Sequence, residues 1–439
     1  MIDKAVKEVL GRLPTAELEN SMETFLKPMM DVLPDKRLQG VVPLAVRGII
    51  GSESPVVTQM AQTVARTESG VWAAAKRVYR FLDNERFSHQ ELEQGLYTIS
   101  KVNVEQENPA YVVVALDPVN FEKAYTTELE GVSTVYKSTP PQLNGQARLT
   151  PGYPAITATV VNTKIPAVTY ANWFSYTTDF LSENVEIKKA IAATRRLLPA
   201  YRVRFVTDAG LDDQKLLAEM AHDEFVIRAS HLERIVEVYN DRLDRWERES
   251  LQDLVDVTPF SHTFRVTFTH ARKKRRAQIK IGWYALRLPE TKQRLWAIIA
   301  YEPAKDRTLV LLTNIPLHSI DDVRNVYDDW RLRPRIEHGY RFDQEQGLDV
   351  EDIRVQTLER MKRLFLLVLA AAQFVFYLID TWPPTAVQWV RYLGGKLGLS
   401  NDLDGPYLVL RGLSAICQAF TTLTFLAISP FPRQDFTYG

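Results

Sequence analysis

The chain has 439 residues, 46% hydrophobic and 25% charged, with a formal net charge of +0. That is long enough for several domains and apolar enough for a real core, and the overall charge balance says nothing for or against nucleic acid, because local basic patches act on phosphates whatever the sum. Cys417 is the only cysteine, so an intramolecular disulfide and a cysteine-built zinc site are excluded, which fits a reducing cytoplasm.

Residues 1 to 105 read as helical. Met1 to Leu10 is charged and lacks the apolar core of a signal peptide. Ser54-Pro55 predicts an N-cap followed by proline in the first helical turn, with Val56, Val57, Met60 and Val64 behind it at helical spacing. Glu68-Ser69-Gly70 predicts a break. Val71, Trp72, Ala75, Val78, Tyr79 and Leu82 then mark a second helix, with Lys76, Arg77 and Arg80 on another face. Two short helices around a tight turn, the second basic, suggest a helix-turn-helix-like DNA-binding unit. A plain helical bundle with a solvated basic face is the alternative.

Residues 106 to 230 take an α/β order. Strands are predicted at Tyr111–Leu116, Ala155–Val161, Ala167–Trp173, Val203–Thr207 and Glu224–Arg228, and helices at Asn184–Leu198 and Asp212–Ala221. The stretch from Thr127 to Pro154, rich in Thr, Pro, Gly and Gln, predicts a loop. Asp117 and Asp208 each follow an apolar run, at the expected end of a buried strand. Burying an unpaired carboxylate is costly, so something must compensate it. A divalent metal is the usual compensation. Taken singly, each aspartate reads as readily as a turn or capping residue.

Residues 231 to 320 read mostly as strands, at Thr263–Thr269, Ala277–Leu288, Leu295–Tyr301 and Thr308–Thr313. The cationic run Arg272-Lys273-Lys274-Arg275-Arg276 falls there and is expected to grip DNA backbone, with a solvated hairpin tip as the alternative. Helix returns over Asp321–Arg331, from about Pro334 to Gln346, and over Val355–Ile379. Glu337 lies among Arg331, Arg333, Arg335 and Arg341. The most apolar stretch, Leu364 to Ile379, is shorter than the roughly 20 residues of a membrane helix and is interrupted by Gln373, so a buried helix is expected and no membrane. Pro383-Pro384 forces a break before two or three final helices. Asp208 and Glu337 are 129 residues apart, too far for one helical connection in a compact sheet, so the β-rich block reads as an insertion.

With the flanks of the three acids in view, the chain resembles the DDE transposases of bacterial insertion sequences, in the cut-and-paste group with a YREK signature around its glutamate. Trp330-Arg331-Leu332-Arg333-Pro334-Arg335-Ile336-Glu337-His338-Gly339-Tyr340, continued by Gln344-Glu345-Gln346-Gly347-Leu348, carries the resemblance, together with the approach Leu309–Pro316. On that pattern Glu337 takes the signature Glu, Arg333 the Arg and Trp330 the Tyr, while the Lys position falls on Gln344. Tyr327 and Arg341 are nearby substitutes for the two departing letters. The resemblance implies an RNase H-like α/β core interrupted by a β-rich insertion, with helical ends. The expected divisions are 1–105 for DNA binding, 106–230 for the first part of the core, 231–320 for the insertion, 321–380 for the second part of the core and 381–439 for a helical C-terminal region. It also implies that Trp283 or Trp296 in the insertion stacks on a flipped base, although either reads equally as a core residue.

The implied chemistry is phosphoryl transfer at two Mg²⁺ ions about 4 Å apart, replaceable by Mn²⁺, held by Asp117, Asp208 and Glu337. Water frees a 3′-OH, which attacks a second phosphate, in the opposite strand as a hairpin or in target DNA. Partners would be double-stranded DNA, as terminal inverted repeats and target, and a second copy of the chain on paired ends. A nuclease that cuts without joining and a domesticated DNA-binding protein are the other readings.

Overall fold

The computed structural model describes residues 11–65, 68–123, 128–137, 147–178, 180–240, 242–270, 273–335, 348, 350–395 and 405–428. Its N-terminal part is helical: α1 (Thr15–Asp31), α2 (Lys36–Gln39), α3 (Val41–Ser52), α4 (Val57–Val64), α5 (Glu68–Leu82) and α6 (His89–Glu107). The predicted pair of helices is present with shifted ends. Val56, not Ser54, is the N-cap of α4, and the Ser54 hydroxyl instead accepts the Val56 N–H in the turn before it. Glu68-Ser69-Gly70 opens α5 rather than breaking it, since a glycine in the first turn costs a helix little. The 97° bend lies one step earlier, between residues 36–52 and α4, where Glu53 leaves α3 with a φ of +52°.

The remainder of the chain is built on one sheet. Its strands are β1 (Val112–Glu122), β2 (Ser133–Lys137), β3 (Arg148–Val160), β4 (Ala167–Trp173), β5 (Val203–Thr207) and β6 (Glu224–Arg228). Then come β7 (Ile235–Asn240), β8 (Arg245–Ser250), β9 (His262–His270), β10 (Lys273–Arg287), β11 (Arg294–Glu302) and β12 (Arg307–Thr313). Between them lie α7 (Glu183–Leu197), α8 (Gln214–Glu219) and α9 (Leu251–Val257), and after them α10 (Ile320–Trp330). β4, β3 and β1 are antiparallel neighbours, and β1, β5 and β6 are parallel. β12 then adds antiparallel to β6, and β11 and β10 follow. The β-rich stretch is therefore hydrogen-bonded into the same mixed sheet through β12.

Two sequence expectations need correction here. The stretch read as a loop from Thr127 holds β2 and the first half of β3, which pair from Ser133↔Gly152 to Lys137↔Arg148. Asp117 does not end its strand. β1 runs five residues further because its antiparallel partner β3 continues beside it to Glu122↔Gly152, whereas its parallel partner β5 stops.

Side chains alternate across the sheet. Val112, Val114 and Leu116 face α7, α8 and α9, with Ile187, Leu216 and Leu254. Val113 and Ala115 face the other way, packing with Val206, Val226, Leu311 and the α10 residues Val323, Val326 and Tyr327. The helical layer closes over this second face further along β1, where Phe121 and Trp173 meet Phe365 of α11 (Leu358–Thr381). The chain continues through α12 (Pro384–Gly394) and α13 (Gly405–Ile428). α11, expected over Val355–Ile379, has 24 residues, and it and α13 are long and apolar enough to cross a membrane. For α11, 72% of the apolar window is buried inside the protein, so its apolarity is met by neighbouring helices and β4.

Candidate active site

Asp117 and Asp208 come together because of strand register and pleat. Ala115 pairs with Val206 across the parallel β1–β5 ladder, so two residues on, on the same face, Asp117 stands level with Asp208. Asp208 is in turn level with Arg228, because Val206 pairs with Val226. On the other side Asp117 pairs with Thr157 of β3. Asp117, Asp208, Arg228 and Thr157 thus form one row across three adjacent strands and the end of β5. The row lies at the carboxyl ends of the parallel strands, where open α/β sheets commonly bind ligands. It also falls between α10 and the helical layer.

The segment after α10 closes the row from above. Arg333 reaches both aspartates, with Nη1 3.6 Å from Asp117 Oδ1 and Nη2 3.5 Å from Asp208 Oδ2. Arg228 Nη1 lies 3.4 Å from the other oxygen of Asp208. The indole of Trp330 donates to the Thr207 carbonyl at 3.1 Å, immediately before Asp208. Arg333 itself is not helical. α10 ends at Trp330, and residues 331–333 are turns. Pro334 accounts for that break, since it disfavours helix at the residue before it.

The counter-charge that the strand-end argument assigned to a metal is supplied in this structure by guanidinium groups. Among the described residues no cluster of three or more His, Cys, Asp or Glu could hold a metal ion. Glu337, Arg341 and Gln344 lie outside the described residues, as do His338 and Arg272. The two aspartates do suit a hard cation: they are carboxylates on one face of adjacent strands, with side chains 18% and 36% exposed. Thr157 beside Asp117 is buried, and its Oγ1 has no hydrogen-bond partner among the described residues.

The chain entering and leaving the undescribed segment is pinned at opposite ends of β1. Arg335 donates through Nη1 to the Val161 carbonyl and through Nη2 to that of Thr163 at 3.0 Å, beside the start of β1, where the Val161 N–H bonds Val113. Lys123 donates to the carbonyls of Glu351 and Ile353, and Glu351 pairs with Lys137 and accepts the Glu122 N–H, at the far end of β1. Glu351 is thus an anchor. Asp213 caps α8.

The other predicted residues are more scattered. Tyr327 is buried against Phe264 at 5.3 Å, in the sheet core. Trp283 and Trp296 are half-buried on the face that carries the aspartates, and Trp283 also meets the His262 ring at 4.9 Å. Arg275 and Arg276 are exposed, and the side chains of Lys273 and Lys274 are not described. Lys76, Arg77 and Arg80 are exposed on α5, and Trp72, expected in its apolar stripe, is 65% exposed beside them.

Sequence reasoning missed Arg228 and Arg204. Arg228 ends Glu224-Phe225-Val226-Ile227-Arg228, whose alternation puts it on the face of Val226, and this was a usable signal. Arg204 is a buried arginine in mid-strand. It pairs with Glu224 at 2.7 Å and with Asp329, which also accepts from Tyr111 at 3.0 Å. This network ties α10 to β1, β5 and β6. Burial raises the Asp329 carboxyl, opposed by the Arg204 charge and the Tyr111 hydroxyl.

No family model matches the chain. No curated protein matches it either. Among solved structures it is similar to a piggyBac transposase synaptic complex with hairpin DNA, at 9% sequence identity and a TM-score of 0.40, over 95% of this chain and 80% of that one. A likeness this loose supports no conclusion about this chain.

Proposed function

We propose that the chain is a DNA transposase of the DDE type, with an RNase H-like core and a catalytic set of Asp117, Asp208 and Glu337. The observation that carries the reading is the shared row of Asp117 and Asp208, spanned by Arg333 from the segment that leads to Glu337. The sheet order β4-β3-β1-β5-β6, three antiparallel strands followed by two parallel ones, supports the RNase H-like assignment. Arg335 and Glu351, the described residues that flank the segment carrying Glu337, are both tied to the strand that bears Asp117 or to its neighbour.

Asp117 and Asp208 would hold Mg²⁺, with Glu337 as the third carboxylate. The ions would supply electrostatic stabilisation of the attacking and leaving oxygens of a phosphodiester. Arg333 and Arg228 would position the scissile phosphate through forked hydrogen bonds. Trp330 would fix the turn that presents Arg333. The exposed face of the β9–β10 hairpin, with Arg265, Arg276 and Lys280, would carry DNA backbone away from the chemistry, and α5 would add Lys76, Arg77 and Arg80. Two copies of the chain would hold two DNA ends.

Replacing Asp117, Asp208 or Glu337 singly by alanine is expected to abolish cleavage of end DNA and leave binding intact. Retained cleavage in Asp208→Ala would refute the assignment. A nuclease that cannot join shares this site, and strand transfer from an oligonucleotide ending in a 3′-OH separates the two.

A further inference from the structure

Arg333 stands where a cation bridging the two aspartates would stand. Its guanidinium lies between Asp117 and Asp208, with one nitrogen toward each, and its side chain is only 10% exposed. Both distances, 3.6 and 3.5 Å, exceed the roughly 2.7–2.9 Å of a tight charge-assisted hydrogen bond. The residues on either side are also held. Arg331 Nη2 donates to the Thr267 carbonyl at 2.6 Å, and Arg335 is bonded to two carbonyls at the end of β3. Those bonds hold the chain on both sides of Arg333.

We propose that Arg333 is an internal counter-ion of the aspartate pair, competing with the divalent cation for Asp117 and Asp208 and giving way when a DNA phosphate takes its guanidinium. This rests on the transposase reading of the site. Two carboxylates on adjacent strands repel each other, and one positive charge between them relieves that repulsion. A phosphate matches the planar fork better than two separated carboxylate oxygens do. When the guanidinium turns to a phosphate, both aspartates are released to the metal. DNA then raises metal affinity, and by reciprocity metal raises DNA affinity by the same factor. A free chain would bind cations weakly and a DNA-bound chain well, so the hydrolytic site assembles only on its substrate.

The test is Mn²⁺ binding by the full chain, read from the electron paramagnetic resonance signal of free Mn²⁺, with and without a duplex of the chain's own end sequence. Without DNA, Arg333→Gln is expected to bind Mn²⁺ on the order of tenfold tighter than the unmodified protein. Arg333→Lys, which keeps the charge, should stay near the unmodified affinity. Adding DNA should tighten Mn²⁺ binding in the unmodified protein and do little in Arg333→Gln. Equal DNA-free affinity in Arg333→Gln and the unmodified protein would overturn the inference while leaving the transposase reading standing. So would Arg333→Lys behaving like Arg333→Gln. If Asp117→Asn left Mn²⁺ binding unchanged, the metal reading itself would fail and this inference with it.

Discussion

Arg335 offers the sharpest test of how the third acid is held. It is the last described residue before the segment that contains Glu337, and its guanidinium donates to the carbonyls of Val161 and Thr163. Burial lowers its pKa, with Glu107 partly opposing, so the cation sits in a partly dry setting where its bonds count for more. Charge-assisted hydrogen bonds contribute about 1.5–3 kcal/mol each. Losing two would weaken this anchor by about 3–6 kcal/mol, a local loss that need not unfold the chain. The effect on rate follows from geometry, since a misplacement of about 1 Å can cost about 100-fold. Arg335→Ala is therefore expected to cut end DNA about 100-fold more slowly in single-turnover assays on saturated complex. DNA affinity by fluorescence anisotropy should be nearly unchanged. Wild-type cleavage in a folded Arg335→Ala protein would refute the idea that this anchor places Glu337.

Two further predictions concern other parts of the molecule. Neutralising Arg265, Arg275, Arg276 and Lys280 together should lower DNA affinity and flatten its dependence on salt, by about 0.9 in slope for each phosphate no longer neutralised, with single-turnover cleavage on saturated complex preserved; an unchanged salt slope would remove the hairpin from the interface. Glu359 is pushed up by burial, but His89 and Arg363 outweigh that and bring its carboxyl from 4.5 down to about 2. A carboxylate lowered in the folded state stabilises above its unfolded pKa and loses that contribution as pH falls through the folded one. The thermal-stability gap between the wild-type chain and Glu359→Gln should therefore shrink as pH falls from about 4.5 toward 2. A gap independent of pH would contradict the pairing.

What the sequence made legible was the part written in apolar periodicity. The runs before Asp117 and Asp208 gave β1 and β5, and the flanks gave Arg333. β8 escaped because Arg245-Trp246-Glu247-Arg248-Glu249-Ser250 is polar on both faces, so no alternation separates strand from loop, whereas Ile235-Val236-Glu237-Val238-Tyr239 of β7 carried a readable strand signal. β2 escaped because its strand-forming Val135 and Tyr136 lie in a stretch whose Pro, Gly and Gln content reads as loop. The length of β1 was hidden for another reason. Whether a strand stops depends on its partners, and β3 is a partner found more than 25 residues later in the chain. Arg204 shows the same limit, since Asp329 is 125 residues away in sequence.

In sequence the arginines around Glu337 form one basic patch, from which only the family resemblance singles out Arg333 and Arg341. In the structure they divide. Arg331 bonds the Thr267 carbonyl of β9 and pairs with Asp328, Arg333 spans the two aspartates, and Arg335 holds the end of β3. Successive odd positions thus fasten one short turn to three different parts of the sheet. Such a turn has little apolar surface with which to hold itself, and the long, planar, always-charged arginine side chain can reach carbonyls across a gap that a lysine would meet with a single point charge. Arg333 reaches the carboxylates of the two strand-borne aspartates, whereas Arg331 and Arg335 bond backbone carbonyls of the sheet. Carboxylates are the partners a phosphate or a metal can compete with. Backbone carbonyls at the edge of a sheet have no such competitor in this site. The division therefore separates the arginines that keep the turn in place from the one positioned to exchange partners when DNA arrives.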